Sequence, residues 1–406
     1  MKVPVVVIGG GPAGAAAAIT LVRGGVEALV VDKARFPRDK CCGDGLTVAA
    51  LRELEELGLK PGSVADWQPV RQVRVHGPSG RTTTLPLPAG RGLYSVVAPR
   101  HQLDAALLDA ARRAGADVRD GHSLTAAQEA GPRIELEVEG LGSIEAEYVI
   151  GCDGAWSPLR KALGAGEVGY RGDWHAFRQY FSDVGPAATD QWVWFEADLL
   201  PGYAWSFPLP GGRANVGFGI ARDAGQVAVG EMGEIWADLL TRPAIRAVLG
   251  SNARAEGSHR AWPIPAGIER LPLVATGGRA LFAGDAAGAT DPMTGEGIAQ
   301  ALLTGRRAGE AVLAGRADNT VARRYERAAL GDLAADHRLA ARLSRALSHR
   351  KGVRIPLRVA GSTEWTRRQF GRWLFEDYPR ALVFTPRRWR RGAMSQPGAF
   401  RSSDTE

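Results

Sequence analysis

The stretch from Val3 to Asp32 constrains this chain more than any other. It reads as a short β-branched run to Ile8, then Gly9-Gly10-Gly11-Pro12-Ala13-Gly14, an alanine-rich segment from Ala15 to Val22, and a second apolar run from Ala28 to Val31. The β-branched run predicts a buried parallel strand, and the alanines predict a helix. The glycines form G-x-G-x-x-G at the strand-to-helix turn. Gly9 makes the turn, Gly11 lets backbone approach a pyrophosphate, and Gly14 permits close helix–strand packing. The helix N-terminus, with Ala13 in the loop before Gly14, offers N–H donors and partial positive charge to phosphates. Asp32 lies 18 residues after Gly14 and can accept from ribose hydroxyls; Lys33 follows it directly. A glycine motif alone would also suit a structural turn. Strand, helix and acid together point to a dinucleotide.

Bulk properties narrow the setting. A chain of 406 residues suggests two or three domains. No apolar run approaches the ~18 residues that would span a membrane. The N-terminal apolar run passes straight into the glycine motif without a cleavage site, so no secretory signal is expected. With three cysteines there is no disulfide framework. A reduced, cytoplasmic setting is expected. Net charge is +7, concentrated in the tail: from His337 onward there are 16 Lys/Arg against 5 Asp/Glu, and 35 against 39 elsewhere. Such a tail suits nucleic acid, an anionic membrane or an anionic substrate.

Residues 40–47, Lys-Cys-Cys-Gly-Asp-Gly-Leu-Thr, raise a question of chemistry. Adjacent Cα atoms sit about 3.8 Å apart, below the usual disulfide range. A Cys41–Cys42 pair with no matching His/Cys pair makes no tetrahedral metal set, so no metal is expected. Two later segments repeat the strand–turn–helix pattern. Residues 148–160 are an apolar strand ending at Asp153-Gly154, then a helix start with Ser157 and Arg160. Residues 279–302 are a strand ending at Gly284-Asp285, a Pro/Gly loop, and a helix opening near Gly297.

These three segments, in this order, resemble the FAD-dependent oxidoreductases of the p-hydroxybenzoate hydroxylase fold. The resemblance implies an α/β chain: a Rossmann-type FAD-binding domain, a mainly antiparallel β-sheet substrate domain and a helical C-terminal region. It implies that Asp285 binds the ribityl or pyrophosphate part of FAD. The helix after Gly295, Gly297 and Ile298 would point its N-terminus at the isoalloxazine, where reduction places negative charge. Arg100, opening the helix of residues 100–114, would lie near the flavin. Leu124 matches a position that meets adenine through its backbone, although a plain core role fits it as well. Asp153 belongs to the second cofactor motif. The loop Phe-Pro-Arg-Asp-Lys-Cys-Cys-Gly-Asp-Gly, residues 36–45, narrows the resemblance to the geranylgeranyl reductase family. There Cys42 takes the family cysteine's place beside the flavin, with Gly43 and Gly45. Cys42 is the candidate proton donor, although a free cysteine can also be a small buried hydrophobe. Cys41 replaces a residue that is often proline and is incidental.

Residues 165–275 lose the helical pattern and show short Trp-, Phe- and Val-rich runs split by Pro-Gly turns, predicting antiparallel strands. Tyr203, Trp205 and Phe207 alternate, so they share one strand face. Tyr-Ala-Trp-Ser-Phe-Pro, residues 203–208, is similar to the family motif over the flavin, implying an aromatic wall for an apolar prenyl substrate; sheet core is the alternative for each ring. The domain assignment is 1–65, 97–165 and 275–330 to the FAD domain, 66–96 and 166–274 to the substrate domain, 331–391 to the helical region, and 392–406 to a disordered tail. Trp365, Gln369, Arg372 and Trp373 fall along one side of a basic helix, which fits peripheral contact with a membrane surface, the closing of an apolar tunnel, or an arginine-solvated helix on the FAD domain. No nucleic-acid module is recognisable.

The expected function is saturation of isoprenoid C=C bonds by hydride from reduced FAD, with NADPH, ferredoxin or a partner reductase as electron donor. No second G-x-G-x-x-G exists for a pyridine nucleotide. Three alternatives share these features. One is a flavin monooxygenase acting on an aromatic or polyketide substrate, and another is a flavoprotein without catalysis, such as a scaffold or lipid carrier. The third, a flavin-dependent halogenase, needs a lysine between flavin and substrate. Of six lysines only Lys60 falls near the usual spacing, and it reads as a helix-end turn.

Overall fold

The computed structural model describes residues 1–167, 169–222, 228–389 and 391–401. Its first sheet is built around the strand Lys2–Ile8, which runs parallel to Ala28–Asp32 on one side and Gly142–Gly151 on the other. Asp117–Asp120 extends one edge, and Ala280–Phe282 pairs with the end of Gly142–Gly151, both in parallel. An antiparallel hairpin, Leu124–Ala130 and Arg133–Val138, covers the start of that long strand. Val5, Val6 and Val7 are fully buried. Burial of both strand faces explains why the sequence shows a continuous apolar run rather than an alternation.

The helices Pro12–Arg23 and Ile298–Gly315 cross this sheet in near backbone contact. A Cβ added at Gly305 would lie 2.0 Å from the carbonyl oxygen of Ala13, so only glycine permits the approach. Helix Arg100–Ala114 buries Leu103, Leu107 and Ala111 completely, the face its spacing predicts.

The second sheet has seven strands and is antiparallel except where Gln191–Trp194 runs alongside Gln72–His76. Tyr203–Leu209 and Arg213–Ala221 form a hairpin about Pro210-Gly211-Gly212. Gln72–His76 and Thr82–Pro86 complete one edge, and Arg254–Ile264 forms the other. A small third sheet, Gly45–Thr47, Gln68–Pro69 and Ser95–Val97, joins the two.

Three expectations need correction. Residues 165–275 include two helices, Met232–Leu239 and Pro243–Leu249. Their apolar residues Met232, Trp236, Ile245 and Val248 cover Phe177 and Phe218 on the outer face of the sheet. The boundary placed at residue 330 falls inside one unbroken helix, Val321–Leu347. The tail expected to be disordered is ordered up to Arg401: Ala399 exchanges backbone hydrogen bonds with Leu93, and Phe400, 5% exposed, meets Trp67 edge-on at 5.8 Å. Residues 402–406 of that tail lie outside the described residues.

Candidate active site

One cavity of about 890 Å³ runs between the two large sheets and under the C-terminal helices. Every residue singled out above for cofactor or substrate lines it except Gly14. Gly14 instead faces inward, where an added Cβ would lie 1.8 Å from the Gly9 carbonyl oxygen. At the glycine-loop end, Gly9 has φ +106°, and a Cβ there would strike the Cys152 carbonyl at 2.2 Å. Asp32 ties the loop down: Oδ2 accepts from the Gly10 N–H at 2.7 Å and Oδ1 from the Ala34 N–H at 2.8 Å. Each oxygen keeps a second lone pair for a ribose hydroxyl. His122, Ser123 and Leu124 line the same end. The side chain of Asp153 is engaged locally, accepting from the Ser157 hydroxyl at 2.6 Å and the Leu159 N–H at 2.9 Å. Asp285 turns into the cavity 3.6 Å from Lys40, whose ammonium also lies 4.1 Å from the Trp262 ring centroid. Burial lowers the Lys40 pKa, and Asp285 opposes the shift. An open backbone cradle, a cavity-facing acid and a helix N-terminus at Ile298 together fit FAD.

The cysteine loop occupies the centre. Cys42 Sγ accepts from the Asp44 N–H at 3.3 Å. Desolvation raises its pKa, with Arg100 opposing, so the thiol keeps its proton at neutral pH. Burial also pushes Cys41 up, to about 12, and its thiol is directed at the Arg260 carbonyl. The guanidinium of Arg100 forms a bidentate pair with Asp104 at 2.7 and 2.8 Å, and Arg38 joins the same acid at 2.9 Å.

Asp44 holds the loop in place. It is fully buried and has φ +64°, a conformation that costs a non-glycine residue energy unless its surroundings impose it. Its carboxylate accepts from the Tyr180 hydroxyl at 2.6 Å and the Asn215 amide at 2.7 Å. The Asn215 amide also donates to the Cys42 carbonyl at 2.8 Å, and its oxygen accepts from the Trp205 ring N–H at 3.1 Å. Trp205 is therefore both wall and tie: it is 5% exposed, lines the cavity, and is linked to the cysteine loop through Asn215. Phe207 lies against the loop, with its ring edge 3.2 Å from where a Cβ of Gly43 would be and 3.1 Å from that of Gly45. Tyr203 donates its hydroxyl to the Thr294 carbonyl.

Beyond this wall the lining becomes aliphatic and aromatic: Leu343, Leu347, Val353, Leu357, Phe370 and Leu374. These come from Val321–Leu347 and from the two C-terminal helices Arg350–Ala360 and Glu364–Leu374. Arg372, read on the same helix side as Trp365, is buried and paired with Asp377, while Trp365 is exposed. Lys60, the lysine weighed for halogenation, is exposed beside a surface turn and does not line the cavity.

Asp44, Asn215, Glu296, Glu376 and Arg380 were not singled out from the sequence. Asn215 carried no local signal. Glu296 stands between Gly295 and Gly297 in the third cofactor segment, and Glu376 belongs to Phe-Glu-Asp-Tyr-Pro at 375–379, a phrase similar to one in the family. Both were within reach of that signal.

The family model described as FAD binding domain matches residues 2–203. A menaquinone reductase from Mycolicibacterium smegmatis is 33% identical over 338 residues, 77% of each chain. A digeranylgeranylglycerophospholipid reductase from Methanothermobacter thermautotrophicus is 33% identical over 347 residues, 80% of this chain and 83% of its own. Among solved structures, a geranylgeranyl bacteriochlorophyll reductase-like protein from Thermoplasma acidophilum superposes with a TM-score of 0.78 at 21% identity, covering 89% of this chain and 92% of its own. A flavin-dependent brominase superposes with a TM-score of 0.73 at 20% identity, covering 90% and 93%. At that identity the two structures share the fold and nothing finer. The sequence relatives go further: the chain belongs to the geranylgeranyl reductase family of FAD-dependent oxidoreductases.

Proposed function

We propose that this protein saturates C=C bonds in an isoprenoid chain, carried on a quinone, a lipid or a diphosphate. The observation that supports this reading is the continuity of the cavity. It runs from the dinucleotide loop, past Cys42 and the Tyr203–Trp205–Phe207 wall, into an aliphatic end under the C-terminal helices. A long flexible hydrocarbon fits that sequence of surfaces.

FAD, held by the Gly9–Gly14 loop, Asp32, Asp285 and the N-terminus of helix Ile298–Gly315, supplies hydride when reduced. The residues of the chain do the rest. The aromatic wall and the aliphatic end orient the prenyl chain and exclude water, and burying each CH2 of the substrate contributes about 0.8 kcal/mol. An unactivated alkene has no group that the protein can polarise, so alignment of donor and acceptor must carry much of the rate. Cys42 keeps a proton at Sγ within the cavity wall. Lys33, Arg100 and Leu124 act on the cofactor side. NADPH, ferredoxin or a partner reductase provides the electrons.

The protein works in the cytoplasm at the surface of an anionic membrane. No helix of the described residues is long and apolar enough to cross one. Ile355, Val359 and Trp365 are 58%, 60% and 69% exposed on the two C-terminal helices. Arg350, Lys351, Arg354, Arg358, Arg367 and Arg368 belong to the same two helices. Apolar tips among cations match an anionic leaflet, directly outside the aliphatic end of the cavity.

The reading is tested by reducing the holoenzyme with dithionite without oxygen and mixing it with prenyl quinones, prenyl lipids or geranylgeranyl diphosphate. At least one should reoxidise the flavin while its fully saturated counterpart does not. Flavin that stays reduced with all of them refutes the assignment.

A further inference from the structure

Two carboxylates pair with one guanidinium where helix Ile298–Gly315 meets the C-terminal segment, and a third, Glu296, stands just before that helix. Arg380, whose side chain is 2% exposed, pairs closely with Asp291, and its Nη2 lies 3.4 Å from Glu376 Oε1. Asp291 also accepts from the N–H groups of Met293 and Thr294 at 2.9 and 2.8 Å and from the Thr294 hydroxyl at 2.9 Å. Glu376, 12% exposed at its side chain, accepts from the Gln300 amide at 2.9 Å and the Thr47 hydroxyl at 3.1 Å. Glu296 Oε1 accepts from the Ile298 and Ala299 N–H groups at 3.0 and 3.3 Å. Among the described residues no cation bridges to Glu296, and its open side faces the cavity.

The neighbouring groups do not balance this charge. His337, beside Asp291, accepts from the Ile268 N–H through Nδ1, and burial lowers its pKa, so it stays neutral at pH 7. Asp336 is taken up by Arg388 at 2.9 Å. Tyr203 and Cys42 face the group from the substrate sheet and the cysteine loop, and burial raises both, so they bring no charge. With all three acids ionised, Arg380 would be the one cation among three anions, with Arg380, Asp291 and Glu376 shielded from water and Glu296 half-buried at the cavity. A carboxylate left unpaired in such a place takes up a proton instead. Asp291, with the close pair and three donors, keeps its charge and is held below its ordinary value. The proton therefore belongs to Glu296. Burial raises both Glu296 and Glu376, and the charge of Glu376 contributes to pushing Glu296 up to about 8.

We propose that Glu296 is the proton store of this active site: a carboxyl without a bridging cation that carries a proton at neutral pH, with the Glu376 carboxylate favouring that protonated form, and presents it to the cavity. The use of that proton rests on the reductase reading. Saturating one C=C bond consumes one hydride, from the reduced flavin, and one proton. The proton leaves the Glu296 carboxyl, the carboxylate remains, and water returns a proton before the next cycle.

Infrared spectra of the full-length holoprotein, taken against pH in H2O and D2O, read the C=O band of a protonated carboxyl without turnover. The expected band has a component that is present at pH 7, disappears with a midpoint of about 8 and is missing in Glu296→Gln, distinct from any band of Asp44 and Asp153, which burial also raises. In Glu376→Gln the repelling neighbour is gone, so the midpoint should fall by about one unit or more. The alkaline limb of flavin reoxidation by a prenyl lipid should move with it. Both substitutions keep the side-chain shape, and bound-flavin absorbance reports folding; the wild-type titration decides the point even if a variant fails to fold. No such component in the wild type at pH 7, or one that survives both substitutions unchanged, overturns the proposal. A component that behaves as expected in a protein whose flavin no prenyl lipid reoxidises supports the proton store and refutes the reductase reading.

Discussion

Several ionisable residues at the cavity are held away from their ordinary protonation behaviour, and this has consequences for stability. Glu296 is raised from 4.5 to about 8 by burial and by Glu376. A group whose folded-state pKa lies above its unfolded value stabilises the fold below the unfolded pKa and loses that contribution as pH rises through the folded one. The wild-type melting temperature should therefore fall between about pH 5 and pH 9, and Glu296→Gln should flatten that fall. A parallel drop in both proteins would show that Glu296 is not the strained group. Asp291 has the opposite sign: its contribution is present above its unfolded pKa and is lost on acidification. The two cysteines should also differ. Cys42 accepts a backbone N–H inside the loop, whereas the Cys41 thiol is directed at the Arg260 carbonyl. Cys42→Ser should retain FAD and slow turnover or change the product pattern, and Cys41→Ser should stay within about twofold of wild type, as expected where no transition-state contact is lost. Equal effects on turnover in the two variants would make the loop a purely structural feature.

Elements differ in how openly the sequence announced them. The glycine loops and the hairpin about Pro210-Gly211-Gly212 were legible because the signal and the structure are both local: a few residues dictate a turn, and the flanking periodicity dictates what it joins. The helices Met232–Leu239 and Pro243–Leu249 were not. They are eight and seven residues long, too short for periodicity to stand out, and they form because Trp236 and Ile245 find an apolar sheet face to cover. The C-terminal helices were legible as amphipathic, but which face turns inward was not. Arg372 is buried because Asp377, five residues on, supplies its partner, while Trp365 is left outside. That placement makes the membrane contact testable without truncation, which would also remove Arg380 and part of the cavity. Ile355→Asp with Val359→Asp should abolish sedimentation with anionic vesicles and leave reduction of a detergent-dispersed prenyl substrate largely intact. Unchanged vesicle binding would take this face out of the contact.

Across the whole molecule, the site exists because the chain passes repeatedly between its two large sheets. Asp44 is separated from Asn215 by 171 residues and Thr47 from Glu376 by 329, so no motif could have announced either contact. The glycine-loop residues that line the cavity were legible, since their spacing is fixed by a local loop. The side-chain network that braces the cysteine loop was legible only once the fold had brought its members together. The cofactor assignment is also testable at this scale. The purified protein should be yellow, with flavin released on denaturation. Asp285→Ala should lose most of its FAD, because the change removes a cavity-facing acceptor and strands Lys40. Full FAD occupancy in the variant would remove Asp285 from the cofactor site. The central claim, that this cavity adds hydrogen to an isoprenoid double bond, is tested most directly by mass spectrometry of the prenyl lipid after anaerobic turnover. The account predicts a product heavier by the mass of two hydrogens for each bond reduced, with no added oxygen or halogen. A lipid that gains oxygen once air is admitted, or one recovered unchanged while the flavin has been consumed, would contradict it.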